Sequence, residues 1–521
     1  MASPSPTPVD LSAAMVMAPS SPSDWLVVLP VAWCLLAGAI LLMIRRRTEL
    51  QAGLAIAALS LLALMDLALL SRVVADGPVT MTMGRWLPPF GISFTVDVLG
   101  AVFAFTSALV AVAAAVFARG DVDANGRRYG FYPFLMLLMG GVSGAFLTGD
   151  VFNLYVWFEV LLISSFGLLV LGSTREQIDG ATKYAFLNLV ATTLFLITTA
   201  YLYGLFGTLN MADIAVKAPA LRGTAPLMTL TTLYLLAFGM KAAAFPVNFW
   251  LPASYHTPKL VVSALFGGLL TKVGVYALLR TQIMLFPLER GELATLIAIV
   301  AALTMLLGVL GALAQNDQRR AVGFLVVSGI GVMMAGLALG NPGGLSGAVL
   351  YGVHSMVVMA GLYFAVGLGA RVSGTFLLSD GGGIHAARAG LSFVTLALLL
   401  SVAGLPPFSG LWPKVMLVRA ALEAGAGWLA AAILVTGLLP LVAAGRVFAL
   451  AHWRPAQIEA PRAAARAGDR GALASLVVLT ALSVVFGLWP EPVIALAQKA
   501  AAGLLDPSAY ILSVFPGEVP Q

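Results

Sequence analysis

Long apolar segments recur along the whole chain, and this repetition constrains its fold more than any other feature. Of the 521 residues, 60% are hydrophobic and only 10% are charged, whereas an ordinary soluble domain carries about 25% charged residues. A water-soluble core of this size needs a charged shell that the chain does not contain. The composition therefore predicts an all-α integral membrane protein, whose helices satisfy their own backbone groups in lipid.

The apolar segments predict about fourteen transmembrane helices, because most have the roughly 20 residues needed to cross a bilayer. The seventh and twelfth segments are longer than the others and contain proline. The predicted spans are 24–44, 51–71, 95–118, 130–148, 151–172, 180–206, 225–254, 258–282, 292–314, 321–341, 346–370, 389–420, 427–451 and 471–490.

Basic residues outside the spans indicate the orientation of the chain. With the N-terminus outside, eighteen lysines and arginines fall on the inner side and eight on the outer side. Cytoplasmic loops carry an excess of basic residues, so this bias favours both termini outside the cell. Residues 1–23 contain no lysine or arginine, and we expect them to form a flexible extracytoplasmic tail.

Four ionisable side chains interrupt segments that otherwise suit the membrane. These are Glu159 in NLYVWFEVLLISS, Lys241 in FGMKAAAFPVNFWLP, Lys272 in SALFGGLLTKVGVYALL, and Lys414 in AGLPPFSGLWPKVML. A charge at bilayer depth costs at least about 2.5–3.5 kcal/mol on insertion scales, so such residues are rare without a role. They are therefore candidates for proton transfer.

A proline follows the lysine of the seventh span. Pro246 lacks an N–H group and clashes with the carbonyl four residues earlier, that of Ala242. The helix is expected to break beside Lys241, and freed carbonyls at membrane depth need water or neighbouring donors.

The twelfth span repeats this arrangement. Pro406 and Pro407 free the carbonyls of Val402 and Ala403, and Lys414 follows shortly after. A proline-interrupted helix with a lysine in each half of the chain is typical of transporters built from repeats.

The carboxylate of Glu159 is the natural partner for Lys241. An opposing charge holds a lysine protonated, whereas burial alone favours the neutral amine. The pair is therefore interpreted as a proton switch, and a static ion pair that pins two helices is the alternative. Lys272 lies among small residues that permit close helix packing, and its alternative role is to reach out to the membrane interface.

Histidine and aspartate supply further candidates. His354 lies in the middle of a span, where it either passes protons or packs helices through a hydrogen bond. His256 and Asp150 are candidates for the groups at which protons enter or leave. Asp66, Asp97 and Asp150 lie towards predicted span ends and are expected at the interface.

Composition excludes several other chemistries. The chain has one cysteine, so neither an internal disulfide nor a cysteine-ligated iron–sulfur cluster is expected. No cluster has the ligand spacing of a metal site, and no cofactor is expected. The net charge of +6 arises from scattered loop residues, which does not indicate nucleic-acid binding.

Several segments, in order, carry a resemblance to a known family. They are FLTGDVFNLYVWFEVLLISSFGLLVLG, ATKYAFLNLVATTLFLI, FGMKAAAFPVNFWLPASYHTP, SALFGGLLTKVGVYAL, NDQRRAVGFLVVSGIGVMMAG and LPPFSGLWPKVML. They resemble the proton-pumping antiporter-like subunits shared by respiratory complex I and Mrp multisubunit Na+/H+ antiporters. GDVFNLYVWFE and ALFGGLLTKVGVYA are most similar to the D-type subunits of the Mrp antiporters.

The resemblance also implies how the helices are grouped along the chain. After helices one to three (24–118), two inverted five-helix repeats follow (130–282 and 292–451), with broken seventh and twelfth helices. Helix fourteen and a tail occupy 471–521.

The resemblance also implies residue roles. Glu159, Lys241, Lys272, His354 and Lys414 match the proton-transfer positions of the family. Many relatives carry a lysine a little after the histidine, where this chain has Met359, so transfer between Lys272 and Lys414 would depend on His354 and water.

The resemblance implies a proton-translocating subunit of a multisubunit Na+/H+ antiporter in a prokaryotic plasma membrane. Its partners would be other antiporter subunits, lipid, protons and Na+. Three alternatives remain open: a membrane-arm subunit of a redox-driven complex, a scaffold subunit that carries no protons, and a transporter that works alone.

Overall fold

The computed structural model describes residues 15–16, 21–457 and 468–516. Most of the predicted tail 1–23, together with the end of 471–521, lies outside the described residues. Within the predicted tail, Met15 forms an antiparallel bridge with Trp86, and the Val16 N–H donates to the Arg85 carbonyl at 2.7 Å. This short stretch is therefore paired with the chain that precedes the third span.

Helices form almost all of the described structure, as the apolar segments predict. In chain order they are α1 (Leu29–Met43), α2 (Thr48–Asp76), α3 (Val98–Asp121), α4 (Ala124–Arg128), α5 (Phe131–Leu147), α6 (Val151–Leu169), α7 (Arg175–Phe206), α8 (Met211–Leu221), α9 (Leu227–Ala242), α10 (Trp250–Ser254), α11 (Leu260–Leu285), α12 (Pro287–Ala314), α13 (Gln318–Leu339), α14 (Pro342–Ser373), α15 (Ile384–Ala387), α16 (Ala389–Ala403), α17 (Leu411–Glu423), α18 (Gly427–Trp453), α19 (Gly468–Leu488), α20 (Glu491–Leu505) and α21 (Ser508–Val514).

Shorter elements complete the description. Wider π-helical turns occur in α11 at Phe266–Leu270 and Arg280–Leu285, and in α18 at Phe448–Trp453. Single 3₁₀ turns occupy Asp24–Val27 and Met83–Arg85. Two antiparallel strands, β1 (Val79–Thr82) and β2 (Ser93–Val96), pair with Val79 opposite Val96 and Thr82 opposite Ser93.

The number of membrane-crossing helices is consistent with the fourteen predicted spans. Among the described residues, ten helices are long and apolar enough to cross a bilayer, and α1, α5, α9 and α16 are shorter apolar helices. Two predicted spans contain breaks. The seventh is divided into α9 and α10, and the twelfth into α16 and α17. The prediction of an all-α membrane fold with broken seventh and twelfth helices is confirmed.

Helices α11 and α14 form the centre of the molecule. The most apolar stretch of each is completely buried by protein, whereas less than half of the corresponding stretch is buried in α7, α12, α18 and α19. Helix α14 packs against α3, α11, α13, α17, α19 and α20. The polar residues of α11 and α14 are therefore shielded from lipid by surrounding helices.

A buried ion pair joins α3 to α11. The guanidinium of Arg280 forms a bidentate salt bridge with the carboxylate of Asp97, and one of its two hydrogen bonds measures 2.7 Å. The guanidinium also donates to the Tyr276 hydroxyl at 3.0 Å, and that hydroxyl donates to the Phe146 carbonyl of α5 at 2.9 Å. The ring of Tyr510 in α21 lies 5.4 Å from the guanidinium carbon. One cation thus links four helices.

Two aspartates that the sequence places towards span ends are buried by protein. Asp97 is 5% exposed, accepts the Gly100 N–H at the start of α3, and pairs with Arg280. Asp66 is 1% exposed within α2, and neither carboxyl oxygen has a partner among the described residues. Helix α2 continues to Asp76, past the predicted span 51–71, so Asp66 lies well inside the helix rather than near its end.

Breaking the Arg280–Asp97 pair should destabilise the protein strongly. Asp97→Asn leaves a buried cation without a counter-charge, which typically costs about 3–5 kcal/mol. We expect a marked fall in the thermal midpoint of the purified protein in detergent. The double variant Asp97→Asn with Arg280→Met should be more stable than Asp97→Asn alone, because it removes the unpaired charge. A thermal midpoint of Asp97→Asn equal to that of the unaltered protein would contradict this role.

Candidate functional site

The first helix break lies directly after Lys241. Helix α9 ends at Ala242, and Ala243 adopts a left-handed conformation with φ of 61°. The backbone polar groups at the break are bound by neighbours. The Trp250 indole donates to the Met240 carbonyl at 3.1 Å, and the Phe245 N–H donates to the Thr304 hydroxyl at 3.0 Å. Side chains thus satisfy backbone groups that a broken helix exposes.

Lys241 is buried without a direct ion pair. It is 7% exposed, and its Nζ lies 5.5 Å from the centroid of the Phe158 ring. The carboxylate of Glu159, the next residue in α6, acts electrostatically on the amine. Within the described part of the chain, no contact of 4.0 Å or less joins the two charges. The predicted partners are therefore close but separated.

A glycine lets α11 approach the first break closely. A Cβ atom at Gly274 would lie 2.8 Å from the Ala242 backbone nitrogen, which leaves no room for a side chain. This agrees with the expectation that small residues near Lys272 permit close packing. The site of Lys272 and the break after Lys241 are consequently held against each other.

Lys272 is completely buried in the centre of α11. Its Nζ donates to the carbonyl of Gly267 on the same helix at 2.6 Å. The helix widens into a π-helical turn at Phe266–Leu270, directly before the lysine, and such turns are frequent at functional sites. The alternative in which Lys272 reaches the membrane interface does not fit this burial.

At the second helix break, backbone carbonyls bind the amine of Lys414 directly. Helix α16 ends at Ala403, Gly404 is left-handed with φ of 85°, and α17 begins at Leu411. The Nζ of Lys414 donates to the carbonyls of Val402 and Ala403, each at 2.8 Å. These are the two carbonyls that the paired prolines are predicted to free.

His354 contacts a cluster of buried hydroxyl groups. Its Nδ1 lies 2.8 Å from the Ser409 hydroxyl, within the second break. The Ser409 hydroxyl lies 2.9 Å from that of Ser483 and 3.3 Å from that of Ser401, and the latter two are 2.7 Å apart. His354 is 2% exposed and its Nε2 has no partner among the described residues.

Sequence reasoning missed this serine cluster. Ser401 and Ser409 flank the two prolines in SVAGLPPFSG, which is a usable signal, because hydroxyls beside a helix break can bond to freed backbone groups. Ser483 lies in an apolar run without a motif. Single serines are common in membrane helices, so only the fold reveals that these three meet.

His354 is near enough to two of the predicted lysines for their charges to act on its ring. The amines of both Lys414 and Lys272 act electrostatically on its ring. Met359 follows on the same helix, is completely buried and offers no proton-binding group. The predicted residues therefore form two groups: Glu159 with Lys241, and His354 with Lys272 and Lys414.

The two candidates for proton access lie near opposite ends of α6. Asp150 is 6% exposed and accepts the Asn153 N–H at 2.7 Å, so its carboxylate caps the start of α6. His256 lies beyond the far end of α6, on a cleft of about 420 Å³ that also contains Glu176 and Asp317. The two candidates are therefore set apart from each other along the length of one helix.

The environment of His256 favours its neutral form. Burial lowers the pKa of His256 below its ordinary value, and the nearby cations of Arg320 and Arg319 lower it further. Its Nδ1 lies 2.9 Å from the Pro252 carbonyl. Because a carbonyl only accepts, Nδ1 carries the hydrogen and Nε2 is left as an acceptor. The described residues contain no group of three or more histidine, cysteine or acidic side chains arranged to hold a metal.

Comparison with known proteins assigns the chain to a family. The family described as NADH:quinone oxidoreductase/Mrp antiporter, TM, matches residues 148–440. The D-type subunit of a Na(+)/H(+) antiporter from Alkalihalophilus pseudofirmus is 37% identical over 489 residues, which cover 94% of this chain and 99% of that protein.

Two solved structures have similar folds. A chain in the Mrp complex from Dietzia sp. DQ12-45-1b is similar with a TM-score of 0.87 and 30% identity, covering 95% of this chain and all of that one. A chain of the membrane-bound sulfane sulfur reductase, an archaeal respiratory membrane complex, has a TM-score of 0.86 and 25% identity, covering 94% and 99%. By its sequence along nearly the whole length, this chain belongs to the family of D-type Na+/H+ antiporter subunits, within the NADH:quinone oxidoreductase/Mrp antiporter family.

Proposed function

We propose that this chain is the proton-translocating subunit of a multisubunit Na+/H+ antiporter. Protons move along a row formed by Glu159, Lys241, Lys272, His354 and Lys414, and their movement drives Na+ out through the assembly. The observation that carries this proposal is the bonding of two lysine amines, one buried and one half-buried. Those of Lys272 and Lys414 bind neutral carbonyls at 2.6–2.8 Å, and no carboxylate among the described residues forms an ion pair with them.

Such bonding suits groups that gain and lose protons. A fixed carboxylate partner would hold an amine charged, whereas a neutral carbonyl accepts a hydrogen from either the ammonium or the amine. One charge that crosses 100 mV releases about 2.3 kcal/mol. Proton movement across the membrane can therefore power ion exchange without a nucleotide or redox group in this chain.

Glu159 acts as the switch for Lys241. The charged atoms of Glu159 and Lys241 are more than 4.0 Å apart. This argues against the static ion pair, because an ion pair that holds two helices together requires direct contact between its charges. A small movement of α6 relative to α9 would change the electrostatic energy of the ammonium. We therefore assign the pair to the control of proton release at the first break.

The two breaks support an organisation in repeats. Ala243 and Gly404 are both left-handed and both directly follow the first half of a broken helix. We propose that 130–282 and 292–451 are the two five-helix repeats, preceded by helices one to three in 24–118. In this proposal both termini lie outside the plasma membrane of a prokaryotic cell, as the loop charges predict.

Asp150 and His256 serve as the access groups. The cleft at His256 faces solvent and carries Glu176, Asp317 and two arginines, so ions can reach it. Asp150 lies near the other end of α6. We propose that these two sites connect the row to the two sides of the membrane.

The partners proposed for this chain are other antiporter subunits, together with lipid, protons and Na+. The relative from Alkalihalophilus pseudofirmus is named as part of a Na(+)/H(+) antiporter, and a similar solved chain belongs to an Mrp complex. The likeness to a chain of an archaeal respiratory complex favours a second candidate, a proton pump that redox chemistry in other subunits drives. Co-purified flavin or iron–sulfur subunits would support that second candidate.

Lys241→Ala should abolish Na+-dependent proton exchange. Everted membrane vesicles from cells that express the complete set of subunits would report exchange through a pH-sensitive dye. We expect a loss of about a hundredfold, because a positioned proton-transfer group contributes at least that much. Lys217→Ala is the matched control, since Lys217 is exposed and pairs with Asp213 on the surface of α8. Exchange at the unaltered rate in normally assembled Lys241→Ala would support a scaffold role instead.

Glu159→Gln should impair exchange more than Glu159→Asp. The amide removes the charge that acts on Lys241, whereas the shorter acid keeps it. The same vesicle measurement, repeated across a range of pH, separates the two variants. Glu423→Gln serves as a control, because Glu423 is an exposed residue paired with Arg419. Full activity of Glu159→Gln at every pH would rule out the switch.

Acid should destabilise the protein partly through His256. Because the pKa of His256 is lowered in the folded protein, unfolding takes up a proton below the ordinary value of about 6.5. The folded protein therefore bears no penalty from His256 above that pH and loses stability as the pH falls below it. We expect His256→Gln to lose less thermal stability than the unaltered protein between neutral and acidic pH. Equal losses in the two proteins would contradict this assignment.

A further inference from the structure

Three serine hydroxyls form a closed triangle next to His354. We call Ser401, Ser409 and Ser483 the serine triangle; its sides measure 2.7, 2.9 and 3.3 Å. Ser401 lies in the last turn of α16, Ser409 within the second break, and Ser483 in α19. None of the three is more than 5% exposed, so protein surrounds the triangle.

The donors and acceptors of the serine triangle permit two arrangements. Each hydroxyl donates one hydrogen and can accept two. When Nδ1 of His354 has no hydrogen, Ser409 donates to it. When Nδ1 carries a hydrogen, Ser409 accepts that bond and is free to donate to Ser401 or Ser483. Gain or loss of the hydrogen on Nδ1 therefore reverses the bond between His354 and Ser409 and changes which bonds Ser409 can donate within the triangle.

Helix α19 fixes the serine triangle onto the break. The Ser409 N–H donates to the Ser483 carbonyl at 3.1 Å, and the Trp412 indole donates to the Gly487 carbonyl at 2.8 Å. A Cβ atom at Gly487 would lie 1.9 Å from the Pro407 carbonyl oxygen, so only glycine allows this approach. The hydroxyls are thus held in position by contacts that do not involve the hydroxyls themselves.

The serine triangle lies where the row otherwise lacks a proton-binding group. Met359 cannot hold a proton, and the Lys414 amine binds the carbonyls of Val402 and Ala403. Ser401 immediately precedes Val402 in the chain. The triangle therefore extends from His354 to the residue next to the carbonyls that hold Lys414.

We propose that the serine triangle relays protons between His354 and Lys414, and that α19 supplies one of its hydroxyls. This inference rests on the proposed function. A proton binds Nε2 of His354 while the Nδ1 hydrogen passes to Ser409. The hydrogen of Ser409 passes to Ser483 and that of Ser483 to Ser401, along the two shorter sides of the triangle. The hydrogen of Ser401 then passes through a water molecule to the neutral Lys414 amine, so charge and atoms balance. Helix α19 lies outside the family match at 148–440.

Ser409→Ala tests the relay, because it removes the hydroxyl that joins the ring to the triangle. We expect vesicle exchange, normalised to assembled complex, to fall about tenfold, less than the hundredfold of a proton-transfer group because water offers a detour. Ser355→Ala is the matched control: Ser355 is the residue after His354 in α14, and its buried hydroxyl has no partner among the described residues. An unaltered rate in Ser409→Ala overturns the relay.

Ser409→Thr separates a relay from a packing role. Threonine keeps the hydroxyl and adds a methyl group, whereas alanine is smaller and loses the hydroxyl. The relay predicts higher exchange in Ser409→Thr than in Ser409→Ala, and the reverse order overturns it. Lys241→Ala distinguishes the two levels of the proposal. If Lys241→Ala abolishes exchange while Ser409→Ala leaves it unaltered, the relay fails and the proposed function stands; if Lys241→Ala retains exchange, the proposed function itself fails.

Discussion

Backbone groups released at membrane depth need partners, and this requirement organises the interior of the protein. A helix break in lipid is tolerated only where the freed carbonyls are buried in protein and bonded. At the second break the partner is the Lys414 amine, which binds the carbonyls of both Val402 and Ala403. The lysine and the broken helix thus stabilise each other. The carbonyls offset the cost of holding a half-buried cation inside the membrane, and the cation satisfies the carbonyls.

The two breaks meet this requirement differently, which gives the two halves of the protein different chemistry. At the first break the Trp250 indole and the Thr304 hydroxyl bind the backbone, so Lys241 remains responsive to the charge of Glu159. At the second break the lysine is itself the donor, and buried serine hydroxyls bind one another and His354 beside it. In the proposed function, the first break controls proton release through charge, and the second passes protons through hydrogen bonds.

The helical membrane fold, the two breaks and the buried lysines could be predicted from the sequence, because proline, lysine and apolar length act locally. The Arg280–Asp97 pair and the serine triangle could not. Asp97 and Arg280 are 183 residues apart and Ser401 and Ser483 are 82 apart, so only the fold brings them together. Asp66 lies farther inside its helix than the predicted span 51–71 indicates, because α2 extends to Asp76. Polar residues that meet through tertiary packing carry little local signal.

A high-resolution map of the assembled antiporter, with ordered water visible, tests the proposed proton row most directly. If protons move along this row, water molecules or hydroxyls connect Lys241, Lys272, His354 and Lys414 in an unbroken hydrogen-bonded chain across the middle of the membrane. Dry, apolar packing that interrupts this hydrogen-bonded chain between neighbouring groups would contradict proton transfer along the row.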